Sequence, residues 1–128
     1  LAARGAEEAA PTLPSVKGLL LLSGIYDLSG IPDSFLRAEA QMTHQEAAGW
    51  SPLLCEQLSG PNRVIAYGGD ETRPFVEQAS AFEQKLHANG QHAELLRMPE
   101  TNHMNVVLAL ADGDSLLGRS LLDLVNIR

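Results

Sequence analysis

The stretch that decides the fold is Arg63-Val64-Ile65-Ala66-Tyr67-Gly68-Gly69-Asp70-Glu71-Thr72, a mostly apolar run that leads into a glycine-containing turn. A short run of this kind, bounded by turn residues, is typical of a buried strand. The next segment, 74–88, has apolar residues at helical spacing, a proline in its first turn and Asn89-Gly90 as its stop. Strand, turn and helix in this order predict one unit of a parallel sheet covered by helices.

The same alternation continues on both sides of this unit. The predicted strands are 16–22, 62–67 and 93–98. The predicted helices are 34–48, 74–88, 104–111 and 115–125, with a short helical turn at 52–58, the end of a helix at 1–10 and a linker at 11–14. Strands that alternate with helices indicate an α/β fold in which right-handed crossovers join parallel strands. The continuous apolar run 16–22 fits a strand that is covered on both faces.

Composition narrows the class of protein. The chain has 128 residues, 45% of them hydrophobic and 20% charged, which suits one globular domain or part of one. Its net charge of −7 argues against nucleic acid or an anionic membrane as a partner. The longest apolar run, 18–22, is far shorter than the roughly 20 residues of a membrane-spanning helix. Cys55 is the single cysteine, which excludes an internal disulfide and favours a reducing, cytoplasmic location.

Two polar residues follow predicted strands in positions that suit catalysis. Asp70 lies in the turn after the second strand, and His103 lies in the loop after the third. Parallel strands bring such loops together at one edge of the sheet, where a carboxylate can orient an imidazole that takes a proton from a nucleophile. Taken alone, Asp70 reads as a turn or helix-capping residue and His103 as a surface histidine. Their joint placement favours a catalytic acid and base.

The remaining polar residues do not form another recognisable site. The other histidines, His44, His87 and His92, lie in polar segments and are expected to be exposed. No spacing of histidine and carboxylate residues matches a metal site, and no phosphate-binding or dinucleotide motif is present. The sequence therefore predicts no metal and no cofactor.

Four motifs carry a resemblance to a known family. They are Ser23-Gly24-Ile25-Tyr26-Asp27-Leu28, Ser51-Pro52-Leu53, Tyr67-Gly68-Gly69-Asp70-Glu71 and Asn102-His103. Their order and spacing resemble the second half of the α/β-hydrolase superfamily, and within it the kynurenine formamidase (arylformamidase) and small esterase and lipase group. The resemblance implies that Asp70 is the acid and His103 the base of a serine-hydrolase triad. By the tautomer argument, Asp70→Asn is then expected to slow the reaction by several powers of ten.

Two family features are absent from these residues, the Gly-x-Ser-x-Gly nucleophile elbow and an upstream His-Gly-Gly segment that helps form the oxyanion hole. We therefore expect residues 1–128 to be the C-terminal portion of a single α/β-hydrolase domain, beginning shortly after the nucleophile. The chain alone is expected to have very little activity. Its expected partner is the missing N-terminal half or a second copy of the chain, because a half-sheet exposes an edge and an apolar face.

The predicted substrate-binding residues are Tyr26, Trp50 and Met104, where Met104 replaces the aromatic residue often found after the family's histidine. Packing of Tyr26 and Trp50 onto the core is an equally good interpretation. Phe75 and Phe82 lie on a helical stripe that is predicted to face the core.

The functional hypothesis is a serine hydrolase of the carboxylesterase or arylformamidase type, acting on a small ester or an N-formyl aryl amide. The alternative is a non-catalytic α/β module that works by association, and an upstream nucleophile elbow would discriminate between the two. A flavodoxin-like response module fits less well, because the sequence has no early acidic phosphoacceptor cluster.

Overall fold

The computed structural model describes residues 17–57 and 61–126, and the predicted helix end at 1–10 and linker at 11–14 lie outside these ranges. Its centre is a parallel sheet of three strands, β1 (Gly18–Leu22), β2 (Asn62–Gly68) and β3 (Ala93–Met98), with β2 in the middle. Leu21 lies opposite Ile65, and Ile65 opposite Leu95. The predicted α/β class and parallel sheet are confirmed.

In the described ranges, four α-helices and two short 3-10 helices connect and cover the strands. The α-helices are α1 (Arg37–Ala40), α2 (His44–Trp50), α3 (Arg73–Ala88) and α4 (Leu116–Val125). The 3-10 helices are Ile31–Asp33 and Val106–Ala111. Helix α3 connects β2 to β3, whereas Val106–Ala111 and α4 follow β3, as expected for strands joined by helical crossovers.

The sheet is buried on both faces, and alternate residues of each strand enter different cores. One core joins Ile65 and its neighbours in β1 and β3 to Phe82 and Leu86 of α3. The other joins Ala66 and Met98 to Val106 and Leu117, with Leu20, Leu22 and Leu96 packed against it. Because both faces are covered, β1 and the centre of β2 read as continuous apolar runs, whereas β3 keeps two exposed charged residues, Glu94 and Arg97. Phe82 lies in the first core, as its position on the helical stripe predicts.

The single helix predicted over 34–48 is wrong, because the chain forms two short helices there. Gln41 has φ +46°, in the left-handed region, and ends α1. Thr43 then starts α2 with a capping box: its hydroxyl accepts from the Glu46 amide, and the Glu46 carboxylate accepts from the Thr43 amide. Reciprocal caps of this kind satisfy amide donors that a continuous helix would bond internally.

The region after β3 also differs in detail from its prediction. The short helix expected at 104–111 is the 3-10 helix Val106–Ala111. Helix α4 is capped by Ser115, whose hydroxyl oxygen accepts from the Gly118 amide at 2.9 Å. The sequence instead placed this cap in the acidic turn 112–114. Serine and aspartate are both good caps, so composition alone does not choose between them.

Candidate active site

Glu71 is a buried carboxylate in the tight turn that follows β2. The Glu71 amide donates to the Gly68 carbonyl at 3.1 Å, and the Gly68 amide donates to Glu71 Oε2 at 2.6 Å. The Glu71 side chain is 0% exposed. Gly68 is required at the end of the strand, because a Cβ there would lie 2.5 Å from the Thr101 carbonyl oxygen. The turn after β2 therefore packs directly against the loop after β3.

His103 is carried by that second loop and meets Glu71. Its Nδ1–H donates to Glu71 Oε1 at 2.6 Å, a short charge-assisted hydrogen bond. The imidazole side chain is 50% exposed and stacks on Phe75, with ring centroids 4.4 Å apart and planes 29° from parallel. Two backbone bonds join the loops: Gly69 N–H donates to Met98 O at 2.7 Å and Asp70 N–H to Thr101 O at 2.8 Å.

This arrangement fixes the state in which His103 can act as a base. A proton on Nδ1, shared with Glu71, leaves the lone pair of the neutral ring on Nε2. Within residues 17–57 and 61–126, Nε2 of His103 has no hydrogen bond, and the ring is half-exposed. The imidazole is therefore oriented and open on the side that would accept a proton from a nucleophile.

The predicted acid, Asp70, points to solvent, whereas the next residue, Glu71, is buried. Asp70 is exposed, and no hydrogen bond or ion pair between its carboxylate and His103 is found in the part of the chain that the structure describes. Glu71 is the carboxylate that the fold brings to His103. The sequence offered a signal, since two adjacent acids follow Gly68-Gly69 and the turn closes between Gly68 and Glu71.

An open pocket of about 630 Å³ lies beside Phe75, the residue on which His103 stacks. Its walls come from the segment between β1 and α1 and from the first two turns of α3. The lining residues are Ile25, Asp27, Ser29, Gly30, Ile31, Ser34, Phe35, Leu36, Thr72, Pro74, Phe75 and Gln78. Most of the large side chains among them are apolar, so the pocket suits an apolar or aromatic group.

The pocket wall formed by the segment after β1 is held by two polar side chains. Gln78 of α3 accepts, through Oε1, from the Tyr26 amide at 2.7 Å and the Asp27 amide at 2.8 Å. Buried Ser51 accepts from the Leu28 amide at 2.7 Å and donates to the Ala47 carbonyl at 2.6 Å. These bonds give Ser51 a physical role, the anchoring of the segment that lines the pocket.

None of the three predicted substrate-binding residues lines this pocket. Tyr26 is buried in the core and stacks on Phe82, with centroids 4.6 Å apart. Burial raises the pKa of the Tyr26 hydroxyl; the nearby Gly24 backbone lowers it in part, and the Glu71 charge raises it further. Trp50 ends α2 half-exposed, and Met104, directly after His103, is 82% exposed.

Phe75 corrects a sequence expectation, since it was predicted to face the core. It is only partly buried, lines the pocket and stacks on His103. The physical reason is its place in the first turn of α3, which starts beside the carboxyl end of β2 and thus next to the loop that carries His103. Helical spacing shows which residues share one face of the helix. It does not show which of them lie over the sheet and which extend past its edge.

Neither a metal-binding cluster nor a membrane-spanning helix is found in the described ranges. Residues 17–57 and 61–126 contain no group of three or more histidine, cysteine or acidic side chains that could hold a metal ion. Among the same residues, no helix combines the length and the apolar character needed to cross a membrane.

The chain is similar in sequence to two curated proteins. The chain is 32% identical over 119 residues to a kynurenine formamidase of Salmo salar and 27% identical over 118 residues to one of Danio rerio. Each match covers 88% of this chain and 40% of the relative, so the chain spans about 40% of the length of these curated relatives. No protein-family model matches the sequence.

Solved structures show the same fold. A candidate thioesterase from Silicibacter sp. tm1040 superimposes with a TM-score of 0.71 at 22% identity, covering 80% of this chain and 37% of its own. A thermophilic esterase from Thermogutta terrifontis superimposes with a TM-score of 0.60 at 18% identity, covering 86% of this chain and 40% of its own. The three-stranded sheet and its helices therefore correspond to part of the larger fold of these two structures.

Proposed function

We propose that this chain, a homologue of kynurenine formamidases with the fold of part of an α/β-hydrolase, supplies the acid and base of a serine acyl hydrolase. In this proposal His103 is the general base and Glu71 is the acid that orients it. The serine nucleophile comes from another segment of the complete protein. The observation that carries the proposal is the 2.6 Å hydrogen bond between His103 Nδ1 and the buried Glu71 carboxylate at the carboxyl edge of the sheet.

The chemistry follows from the orientation of the imidazole. As the serine attacks a carbonyl carbon, Nε2 of His103 takes the hydroxyl proton, and it later returns that proton to the leaving group. Glu71 keeps its negative charge throughout and stabilises the imidazolium that forms in between. Water then releases the acyl group by the same sequence of proton transfers.

The proposed substrate is an N-formyl aryl amide, with small esters as the second candidate. The two curated relatives are named kynurenine formamidases, which favours the formamide. The pocket supports an aromatic leaving group, because Phe35 and Phe75 offer flat apolar surfaces in its wall and Phe75 also stacks on His103. A formyl group is the smallest acyl group, so it would demand little space next to the reacting carbonyl.

Active-site labelling of the complete protein tests this function. We expect a fluorophosphonate to form an adduct with one serine outside residues 1–128, and we expect the protein to hydrolyse N-formylaniline. N-acetylaniline and phenyl acetate, run in parallel, separate formamidase from general amidase and esterase activity. A folded complete protein that neither forms the adduct nor hydrolyses any of the three compounds would support the non-catalytic association module instead.

The stack between Phe75 and His103 gives a second expectation. Phe75→Ala removes the surface that supports the imidazole, so we expect kcat to fall by up to about tenfold, as an aromatic stacking contact contributes about 0.5–1.5 kcal/mol. Phe35→Ala is the matched control, since Phe35 lines the pocket but makes no ring contact with His103. We expect that control to raise KM and to leave kcat unchanged. Steady-state kinetics that show equal kcat for Phe75→Ala and the parent protein would exclude a supporting role for this ring.

A further inference from the structure

We propose that Ser23 is a positioning residue that holds the Glu71 carboxylate in the orientation His103 needs. The inference rests on the proposed function and adds a third residue to the site, one that follows β1. Ser23 directly follows β1, Glu71 lies in the turn after β2, and His103 lies in the loop after β3. The three residues therefore come from the carboxyl ends of three neighbouring strands.

The two oxygens of Glu71 have separate tasks. Oε2 accepts from the Ser23 hydroxyl at 2.8 Å and from the Gly68 amide at 2.6 Å. Oε1 accepts from His103 Nδ1–H at 2.6 Å. The two donors on Oε2 fix the plane of the carboxylate, which leaves Oε1 directed at the imidazole. Because the Glu71 side chain is 0% exposed, bulk water is not positioned to replace a donor that is removed.

The backbone at Ser23 indicates that the hydroxyl matters. Ser23 has φ +49°, in the left-handed region that non-glycine residues rarely adopt. A glycine would take this conformation without strain. The Ser23 amide also continues the ladder of the sheet by donating to the Ala66 carbonyl at 2.8 Å, so the surrounding structure holds the residue in place. Strain of this kind persists where side-chain function requires it.

Ser23 lies outside the lining of the proposed substrate pocket. Its hydroxyl donates to a carboxylate and makes no hydrogen bond with His103, and the residue does not line the pocket. A change at Ser23 should therefore affect the proton-transfer step and leave substrate binding alone. Loss of kcat at constant KM is the expected signature.

The test uses the complete protein with Ser23→Gly and Ser23→Ala. We expect the glycine and alanine variants to lower kcat by about 10- to 100-fold, the range for a hydrogen bond to a charged group, with KM unchanged. In proton NMR spectra of the same variants, the low-field resonance of the His103 Nδ1–H bonded to Glu71 should shift or broaden.

Glycine is the decisive variant, because it removes the hydroxyl and the backbone strain together and so has the best prospect of folding. A folded Ser23→Gly protein with parental kcat and an unchanged Nδ1–H resonance would overturn the role of Ser23. If no variant and no parent protein hydrolyses the substrates, the proposed function fails. In that case a changed resonance in Ser23→Gly still supports the positioning of Glu71 by Ser23, and an unchanged one rejects it.

Discussion

We expect replacement of His103 with alanine to abolish the proposed hydrolysis by the complete protein, with kcat lower by about four to six powers of ten. The effect is this large because Nε2 of His103 is the proposed acceptor of the serine proton, and residual catalysis by binding and the oxyanion hole is small by comparison. The imidazole is half-exposed, so its removal should leave the fold intact. Initial rates, together with thermal unfolding of the same preparation, provide the measurement.

His92→Ala is the matched control for that change. His92 is an exposed histidine in the segment between α3 and β3, and no hydrogen bond of its side chain is found within the described ranges. We expect this variant to keep the parental rate. A His103→Ala protein that is folded and turns over at a near-normal rate would reject the general-base assignment, and with it the proposed function.

Much of the sheet was predictable from the sequence, and the reason is burial. Strand β3 has the bounds expected from its sequence, and β2 extends its prediction by a single residue, Gly68. Parallel strands covered on both faces leave continuous apolar runs that turn residues delimit clearly. Helix α3 was equally clear, since a proline in its first turn and Asn89-Gly90 after it mark both ends.

The elements between β1 and β2 were less predictable, because local capping overrides hydrophobic spacing there. Gln41 adopts a left-handed conformation and Thr43 starts a new helix, so the apolar residues of 34–48 never share one helical face. Phe35, expected within that helix, instead lines the pocket and is almost fully exposed. Periodicity reports burial only where a segment is one continuous helix.

The candidate site was predictable in place but not in every residue. The order of an acid and a histidine after two strands predicts a site at the carboxyl edge of the sheet, and the structure brings Glu71 and His103 together there. The choice between Asp70 and Glu71 depends on how a four-residue turn directs consecutive side chains, which spacing along the chain does not reveal. The turn closes between Gly68 and Glu71, so Glu71 is directed inward while Asp70 remains exposed.

A pair of isosteric substitutions distinguishes the two acids. Glu71→Gln is expected to lower kcat by about four powers of ten, because an amide in this position stabilises the wrong imidazole tautomer and removes the charge that supports the imidazolium. Asp70→Asn, expected from the sequence alone to slow the reaction by several powers of ten, is now expected to change kcat by no more than about twofold, because Asp70 is exposed and Glu71 is the carboxylate bonded to His103. Both changes remove one negative charge from adjacent residues, so a general electrostatic effect would act on both variants alike.

Two outcomes of this comparison would contradict the assignment of Glu71. A large loss in Asp70→Asn with little loss in Glu71→Gln would assign the acid role to Asp70 and require the turn after β2 to rearrange in the complete protein. Equal, small losses in both variants would mean that His103 works without a carboxylate partner. The geometry argues against both outcomes. The Glu71 carboxylate is buried and accepts hydrogen bonds from Ser23, Gly68 and His103, and these three donors stabilise its negative charge next to the imidazole.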